Sequence, residues 1–422
     1  MAERENFGGQ LAVILAMAGS AIGLGNIWRF PYIMGEYGGA AFILVYIVAC
    51  AVLALPIFFA ESVIGRRGRS GALGSLRSLA PGSAWKFVGY VATFTPFILL
   101  GYYSVVGGWS VGYFANTVGL PFSRFNPLHS VLAHTIFMGA TAVIVLLGVK
   151  NGIEKFSKPA IPTLFALIVA IAIYGLTLPG AGEGVRYLVR PDFSKLSAEG
   201  VAAAMGQAFF SLSLGVGTIL IYASYSKKED NLCSIGTGTV TADLLFAIIA
   251  GFAIIPAVFA AGIEPGMGPG LVFETLPYVF STMGLAGGIV AFLFFFTLLI
   301  AALTSSISVL EVTVAYVQEE WGLSRKNATL VSSLIIWAVG VVCCLSGHTF
   351  DFMDNICSNW LMPLGGLGFT LFVGWRLSRA DVRDEFTNGG TINRRLFPAV
   401  YFLIRYVAPV GIIAIFLWNL FQ

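Results

Sequence analysis

Long apolar runs with few charges divide the sequence, and this pattern limits the possible folds more than any other feature. A helix needs about 20 apolar residues to cross the hydrocarbon core of a bilayer. Runs of this kind lie at residues 10–36, 39–64, 87–118, 133–149, 158–178, 198–225, 234–262, 286–318, 328–345, 351–375 and 396–420. A transmembrane barrel would instead show alternating segments of about ten residues. We therefore predict an all-α polytopic membrane protein with eleven transmembrane helices.

The composition supports a membrane protein and argues against several other classes. Hydrophobic residues make up 57% of the chain and charged residues 11%, whereas about 25% of a soluble domain is charged. The net charge of +3 is small, and no basic stretch is interleaved with aromatic residues as in a nucleic-acid groove. The histidines and cysteines lack the spacing of a metal site. We expect one transmembrane domain over residues 1–422, in contact with the lipid bilayer and with no nucleic acid.

The distribution of Lys and Arg predicts the orientation. The connecting segments 65–86, 150–158 and 376–395 are rich in basic residues, and most of the alternate loops are poorer in them. The segment 180–195 is an exception, but the rule weakens for longer loops. Because loops rich in Lys and Arg stay in the cytoplasm, we expect a cytoplasmic N-terminus and, after eleven spans, a C-terminus outside.

Two of the apolar runs are interrupted by glycine and small polar residues. The interruptions read "AGSAIGLGN" at residues 18–26 and "SLSLGVG" at residues 211–217. They are five spans apart, so the two segments cross the membrane in opposite directions. This pattern is typical of an inverted-topology repeat whose halves each open with a broken helix. We predict repeats at about 7–178 and about 198–376, with an additional span at about 396–420.

A helix that breaks within the membrane leaves backbone groups that need partners. Free carbonyls suit Na⁺ or an ammonium group, whereas free N–H groups at the start of a helix suit a carboxylate. A break that offers both is suited to a zwitterion such as an amino acid. The alternative is a glycine kink that only lets helices pack closely. Two breaks at matching places favour the binding site.

Three longer motifs point to a family. The segments "GSAIGLGNIWRFP" (19–31), "QAFFSLSLGVGTILIYASY" (207–225) and "LTSSIS" (303–308) resemble the neurotransmitter:sodium symporters, above all the bacterial amino-acid transporters. The resemblance extends over nearly the whole chain. It implies the LeuT-type 5+5 inverted repeat with broken spans 1 and 6. It also implies a multi-pass protein of a prokaryotic cell (plasma) membrane, as a monomer or weak dimer. The family prototype has a twelfth span, which this sequence lacks.

The resemblance implies sodium-coupled import of a neutral amino acid by alternating access. No P-loop, HExxH or GxSxG motif indicates an enzyme. One midplane site between two gates differs from the like sites that line a channel. Two alternatives stay open. One is a sodium-dependent carrier of another small zwitterion, such as a small neutral amino acid or an amine, and the other is a transporter-like amino-acid sensor.

Two Na⁺ sites follow from the resemblance, and both offer the oxygen ligands that a hard cation prefers. The first would use Ala21, Asn26, Ser211 and Asp243. The second would use Gly19, Ile22, Ala301, Thr304 and Ser305. Asp243 stands where the prototype has Asn, and its charge would replace the chloride that animal members bind nearby. We therefore expect no chloride requirement. The alternative is an Asp243 that is protonated or hydrogen-bonded to a neighbouring helix.

The resemblance also implies an amino-acid site. The predicted substrate-binding residues are Ser20, Ala21, Leu24, Gly25, Leu99, Tyr103, Phe210, Ser211, Ser213, Val216, Ser305 and Val309. The N–H groups of Leu24 and Gly25 and the hydroxyl of Tyr103 would bind the carboxylate. Val216 and Val309 replace larger residues of the leucine-transporting prototype, whereas Leu99 replaces a smaller one. The net change predicts a large apolar or aromatic side chain.

The predicted gates lie above and below this site. Arg29 and Asp354 would pair on the outer side, and Arg4 and Glu319 on the inner side, where Tyr225 would complete the gate. Two acids lie within apolar runs. Glu61 is expected to hold the exposed backbone of the broken helices. Glu311 is expected to be a hydrogen-bonding partner in the inner pathway.

Overall fold

The computed structural model describes residues 5–263 and 270–421, and all regular secondary structure in them is helical. Nine helices of this part of the chain are long and apolar enough to cross a membrane. They are Ala40–Gly68, Lys86–Thr117, Pro127–Leu146, Val149–Leu176, Leu232–Ala260, Gly284–Trp321, Arg325–Leu345, Gly347–Arg376 and Phe397–Leu420. We call them spans 2, 3, 4, 5, 7, 8, 9, 10 and 11.

Span 1 is the helix pair Gln10–Ala21 and Leu24–Glu36, bent by 61° at a short break. Span 6 is the pair Ala198–Ser211 and Thr218–Ser224, which residues 212–217 separate. Neither half of span 6 is long enough to cross a membrane alone. The all-α fold with broken spans 1 and 6 is confirmed, and the arrangement agrees with the eleven predicted spans.

The break in span 6 requires glycine at one position in particular. Gly215 has φ +80°, in the left-handed region that glycine adopts without steric penalty. A Cβ atom at Gly215 would also lie 2.0 Å from the carbonyl oxygen of Met362. The break therefore packs directly against the backbone of span 10. Ser213 has φ 51°, which is uncommon for a residue with a side chain.

Spans 4 and 5 begin well before their apolar runs. Span 4 begins at Pro127, where the Asn126 side chain accepts hydrogen bonds from Leu128 N (3.0 Å) and His129 N (3.4 Å). Span 5 begins at Val149 with a π-helical segment, Val149–Glu154, that carries charged residues. Hydropathy missed both starts because caps and charged first turns extend a helix beyond its apolar run.

Shorter helices connect the spans. They are Ala72–Leu79 after span 2, Ala181–Val189 after span 5, Leu276–Thr282 before span 8 and Arg379–Thr387 between spans 10 and 11. Span 1 packs against spans 5, 7 and 8, and span 6 packs against spans 2 and 8. Residues of spans 3 and 10 line the cavity beside the breaks, so both breaks lie at the centre of the bundle. Many large apolar side chains on the periphery are exposed, among them Leu44, Ile136 and Leu334. Such a surface is suited to lipid contact and marks a multi-pass membrane protein.

Candidate functional site

A buried carboxylate lies between the two broken helices. Asp243, on span 7, is 0% exposed. Its Oδ1 accepts hydrogen bonds from Asn26 Nδ2 (2.7 Å) and Ser211 Oγ (2.8 Å), and its Oδ2 lies 3.5 Å from the Tyr46 hydroxyl. Within residues 5–263 and 270–421, its hydrogen-bond partners are all neutral. Burying a charge without a partner is costly, so this arrangement is suited to a bound cation.

Asn26 joins this carboxylate to the break in span 1. Its Oδ1 accepts a hydrogen bond from Gly23 N (3.0 Å), and its Nδ2 also lies 3.2 Å from Ser211 Oγ. Asn26, Ser211 and Asp243 come from spans 1, 6 and 7, and the structure brings them together. Ala21, the remaining member of the predicted first sodium site, lines the adjacent cavity.

A second group of oxygens lies where span 1 meets span 8. The hydroxyl of Ser305 is 3.3 Å from the carbonyl oxygen of Ile22 and 3.4 Å from that of Gly19. The hydroxyl of Thr304 is 3.0 Å from the carbonyl oxygen of Ala301. These five residues are the predicted second sodium site. Their oxygens are neutral, and hydroxyl and carbonyl groups are the ligands that a hard cation accepts.

A small cavity lies between these two groups. It is lined by Ser20, Ala21, Gly23, Leu24, Gly25, Asn26, Leu99, Tyr102, Tyr103, Phe210, Ser211, Ser213, Ser305, Val309 and Met362. The lining includes every predicted substrate residue except Val216, and it contains no charged side chain. Val216 is fully buried, but it does not line this cavity. Its role in the substrate pocket, which the resemblance implies, stays a prediction.

The cavity contains a hydroxyl group without a partner. Tyr103 Oη is buried and has no hydrogen bond of normal geometry to a described residue; the Ser305 hydroxyl and the Leu24 N–H lie near it. A Cβ atom at Gly23 would lie 3.3 Å from this oxygen and 2.9 Å from Ser305 Oγ, so the hydroxyl lies directly beside the break in span 1. Leaving a buried hydroxyl unpaired costs about 1–3 kcal/mol. Tyr103 is thus available to a ligand with an acceptor oxygen.

Glu61 holds the break in span 6 from outside the cavity. Its Oε1 accepts a hydrogen bond from Gly215 N (2.7 Å), and the residue is 0% exposed. This contact joins span 2 to the exposed backbone of a broken helix, which is the role that the resemblance implies for Glu61. The Ser213 hydroxyl makes a second link, since it donates to the carbonyl oxygen of Ser20 (3.3 Å) and so joins the two breaks.

On the predicted outer side, the expected ion pair is not formed. No contact within 4.0 Å joins Arg29 and Asp354 among the ion pairs of the described residues. The guanidinium of Arg29 lies over the Phe210 ring, 5.6 Å from its centroid. Asp354 accepts a hydrogen bond from the Ser358 hydroxyl at 3.1 Å. Phe210 therefore covers the cavity while the two predicted gate charges stay apart.

On the predicted inner side, contacts close the molecule. Phe7 N donates to the carbonyl oxygen of Tyr225 (3.0 Å), and the two rings pack edge to face. The Tyr225 hydroxyl donates to Glu311 Oε1 (2.6 Å), and Arg325 pairs with the same carboxylate (2.6 Å). Arg325 was missed, although a buried acid such as Glu311 indicates that a basic partner must lie near it.

The remaining predicted gate residues lie at the same end. Glu319 accepts hydrogen bonds from the Ser70 hydroxyl (2.5 Å) and from Gly71 N (2.9 Å). Its predicted partner Arg4 lies outside the described residues.

Comparisons with known proteins agree with this geometry. The family model for the sodium:neurotransmitter symporter family matches residues 4–130 and 123–422. A relative from Bacillus subtilis, the sodium-dependent transporter YhdH, is 37% identical over 97% of this chain and 96% of its own length. A sodium-dependent transporter of Haemophilus influenzae is 34% identical over 99% of both chains.

Solved structures show the same fold. The crystal structure of MhsT in complex with L-phenylalanine has a TM-score of 0.90 and 40% identity, and the match covers 99% of this chain and 100% of MhsT. The relatives are transporters and not enzymes. The two broken helices and the oxygen clusters beside them agree with the family match along the chain. The chain therefore belongs to the sodium:neurotransmitter symporter family and is a sodium-dependent membrane transporter.

Proposed function

We propose that this transporter couples Na⁺ entry to the import of a neutral amino acid with a large apolar or aromatic side chain. The observation that carries the proposal is the cavity itself. Asn26 and Ser211 line this cavity and hydrogen-bond the buried carboxylate of Asp243 behind them, and Tyr103 lines it with an unpartnered hydroxyl. One end of that space favours a cation and the other an acceptor oxygen.

The helix ends around the cavity are suited to a zwitterion. Leu24 and Gly25 are the first two residues of the second helix of span 1, where N–H groups lack partners within the helix. They and the Tyr103 hydroxyl would bind the substrate carboxylate. The ammonium group would lie against the carbonyl ends of the opposing half-helices, near Ala21 and Phe210.

The side-chain part of the cavity is apolar. Leu99, Val309 and Met362 line it, and no charged residue does. A Lys, Asp or Glu side chain would bury an unpaired charge at a cost of several kcal/mol. The phenylalanine bound to MhsT, a relative of the same fold, supports an aromatic or large apolar substrate for this chain.

Asp243 supports transport without chloride. Its carboxylate is a fixed negative charge beside the predicted first sodium site, within hydrogen-bond distance of Asn26 and Ser211. Na⁺ binding there would neutralise the carboxylate without an added anion. The predicted second site has no full charge, so it would bind Na⁺ less tightly and release it more readily.

Alternating access would move the first repeat, about 7–178, against the second, about 198–376. The N-terminus would be cytoplasmic and the C-terminus outside. Each net positive charge that enters gains about 2.3 kcal/mol per 100 mV of membrane potential, in addition to the sodium gradient. The contacts of Phe7, Tyr225 and Glu311 would have to separate to release the substrate inside.

Thermal stability of the purified transporter tests this proposal. Ligands that bind the folded state raise its melting temperature. We expect Phe, Trp, Leu and Met to raise it in NaCl and in sodium gluconate, and to have no effect in KCl. Stabilisation by Gly or Pro alone would refute the substrate class. If an amino acid raises the melting temperature as much in KCl as in NaCl, sodium coupling is refuted. If it raises the melting temperature in NaCl but not in sodium gluconate, chloride independence is refuted.

A further inference from the structure

Two residues separate the central cavity from a second cavity on the predicted outer side. Phe210 and Met362 line both. The central cavity has a volume of about 40 Å³ and the outer one about 460 Å³. The larger outer cavity could take part of a large substrate side chain. One layer of residues, Phe210 and Met362, forms the partition between it and the central cavity.

Phe210 is held in place by the second helix of span 1. The guanidinium of Arg29 covers its ring at 5.6 Å. A Cβ atom at Gly25 would lie 3.2 Å from its Cε1, so the ring also packs tightly against this helix near its start. Phe210 is therefore the less adaptable half of the partition.

Met362 differs because its backbone is fixed while its side chain can adapt. It begins the helix Met362–Leu371 of span 10, directly after the π-helical segment Cys357–Leu361. Its carbonyl oxygen packs against Gly215 in the span 6 break, and the residue is 1% exposed. A methionine side chain is unbranched and fills irregular space in several rotamers.

We propose that Met362 is a specificity-determining residue of the central site, whose side chain moves towards the outer cavity to admit large aromatic substrates. The inference rests on the proposed amino-acid site and names the residue that sets the upper limit of substrate size there. It also accounts for a cavity that is small in this structure although its lining is apolar and neutral.

The test is a ratio of affinities, which is insensitive to the general stability of a variant. Sodium-dependent binding of Trp and of Val is measured by thermal shift or equilibrium dialysis in wild type, Met362→Ala, Met362→Phe and Met362→Leu. We expect Met362→Ala to raise the Trp-to-Val affinity ratio about tenfold, because it joins the two cavities and removes packing around a small substrate. Met362→Phe should lower the ratio, and Met362→Leu should keep it within about threefold of wild type.

Ile415→Ala is the matched control, since Ile415 lines the outer cavity but not the central one. Its ratio should equal that of wild type. The inference is overturned if Met362→Ala and Met362→Phe both bind with an unchanged ratio, or if Ile415→Ala shifts the ratio equally. Wild type that binds no neutral amino acid in sodium would instead remove the proposed function, and the inference with it.

Discussion

At the scale of single residues, Asp243 determines how the site can hold a cation. Its hydrogen bonds come from Asn26 and Ser211, which are neutral, at 2.7 and 2.8 Å. Neutral partners orient a carboxylate but do not cancel its charge. Had the structure placed a Lys or Arg beside it, the charge would be satisfied and the sodium argument lost.

We predict that Asp243→Asn weakens sodium binding at least about tenfold, which corresponds to roughly 1.4 kcal/mol. The reason is the loss of the one full charge among the first-site residues. The measurement is the Na⁺ concentration that half-saturates substrate-induced stabilisation, with and without chloride. Chloride should partly restore binding in the variant. Asp351→Asn, a change at an exposed acid on span 10, serves as the control. Unchanged sodium and chloride behaviour in Asp243→Asn would contradict the role.

We predict that Tyr103→Phe leaves the stability of the ligand-free protein nearly unchanged, because its hydroxyl has no partner in the described residues. Substrate affinity should fall about tenfold to a hundredfold, the usual range for a lost hydrogen bond to a charged group. Tyr113→Phe is the matched control, on the same span but outside the cavity lining. A fall in stability without a change in affinity would show that the hydroxyl is structural.

The family resemblance named Asn26, Asp243 and Ser305 as ligands, and the structure places all three beside the breaks. Asn26 and Asp243 also stand out in the sequence, because polar and acidic residues are rare within apolar runs. Met362 was missed because a methionine in a membrane helix carries no such signal. Val216 was assigned to the pocket by the resemblance; it does not line the cavity of this structure, and its role stays a prediction.

At the scale of helices, the two breaks are held in different ways. The span 1 break is bridged internally, since Asn26 Oδ1 accepts from Gly23 N at 3.0 Å, and hydroxyl groups of Ser305 and Ser213 contact its carbonyls. The span 6 break is held from outside, by Glu61 on span 2. The glycine clusters predicted both breaks. The partners could not all be predicted, because they come from spans far apart in the sequence.

The helix Arg379–Thr387 fastens the end of span 2 through ion pairs of unequal burial. Arg66 lies 2.8 Å from Glu385, with side chains 2% and 6% exposed. Arg67 lies 2.5 Å from Asp381, with side chains 29% and 38% exposed.

A hydrogen bond from Lys228 holds the pKa of Asp384 below its usual range. This carboxylate therefore stabilises the folded state above its unfolded pKa, and the contribution is lost as the pH falls through the lowered value.

We predict that Arg66→Gln costs about 1.5–3 kcal/mol, because it removes a buried ion pair to Glu385 and a hydrogen bond to the Asp230 carbonyl, although Lys228 still pairs with Glu385 at 2.7 Å. Arg67→Gln, the neighbouring matched change, should cost about 0–1 kcal/mol, since its pair is partly exposed. Unfolding of both variants in the same detergent and salt measures the difference. Equal losses would contradict the assignment of a buried anchor to Arg66.

At the scale of the whole molecule, the two sides of the central cavity are closed to different extents. The predicted inner side is sealed by Phe7, Tyr225, Glu311 and Arg325. On the predicted outer side, Phe210 and Met362 lie between the central and the outer cavity, and no ion pair joins Arg29 and Asp354 among the described residues. Hydropathy and the two breaks predicted the topology of the bundle. They could not predict which gate is closed, because that depends on contacts that a transporter exchanges during its cycle.

Uptake into proteoliposomes tests the central claim most directly. The purified protein is reconstituted, an inward gradient of sodium gluconate, NaCl or potassium gluconate is imposed, and entry of radiolabelled phenylalanine is followed. The proposed symport predicts accumulation above the external concentration in both sodium salts, and its loss when an ionophore collapses the sodium gradient. Entry that only reaches equilibrium, or that is equally fast with potassium, would contradict sodium-coupled symport.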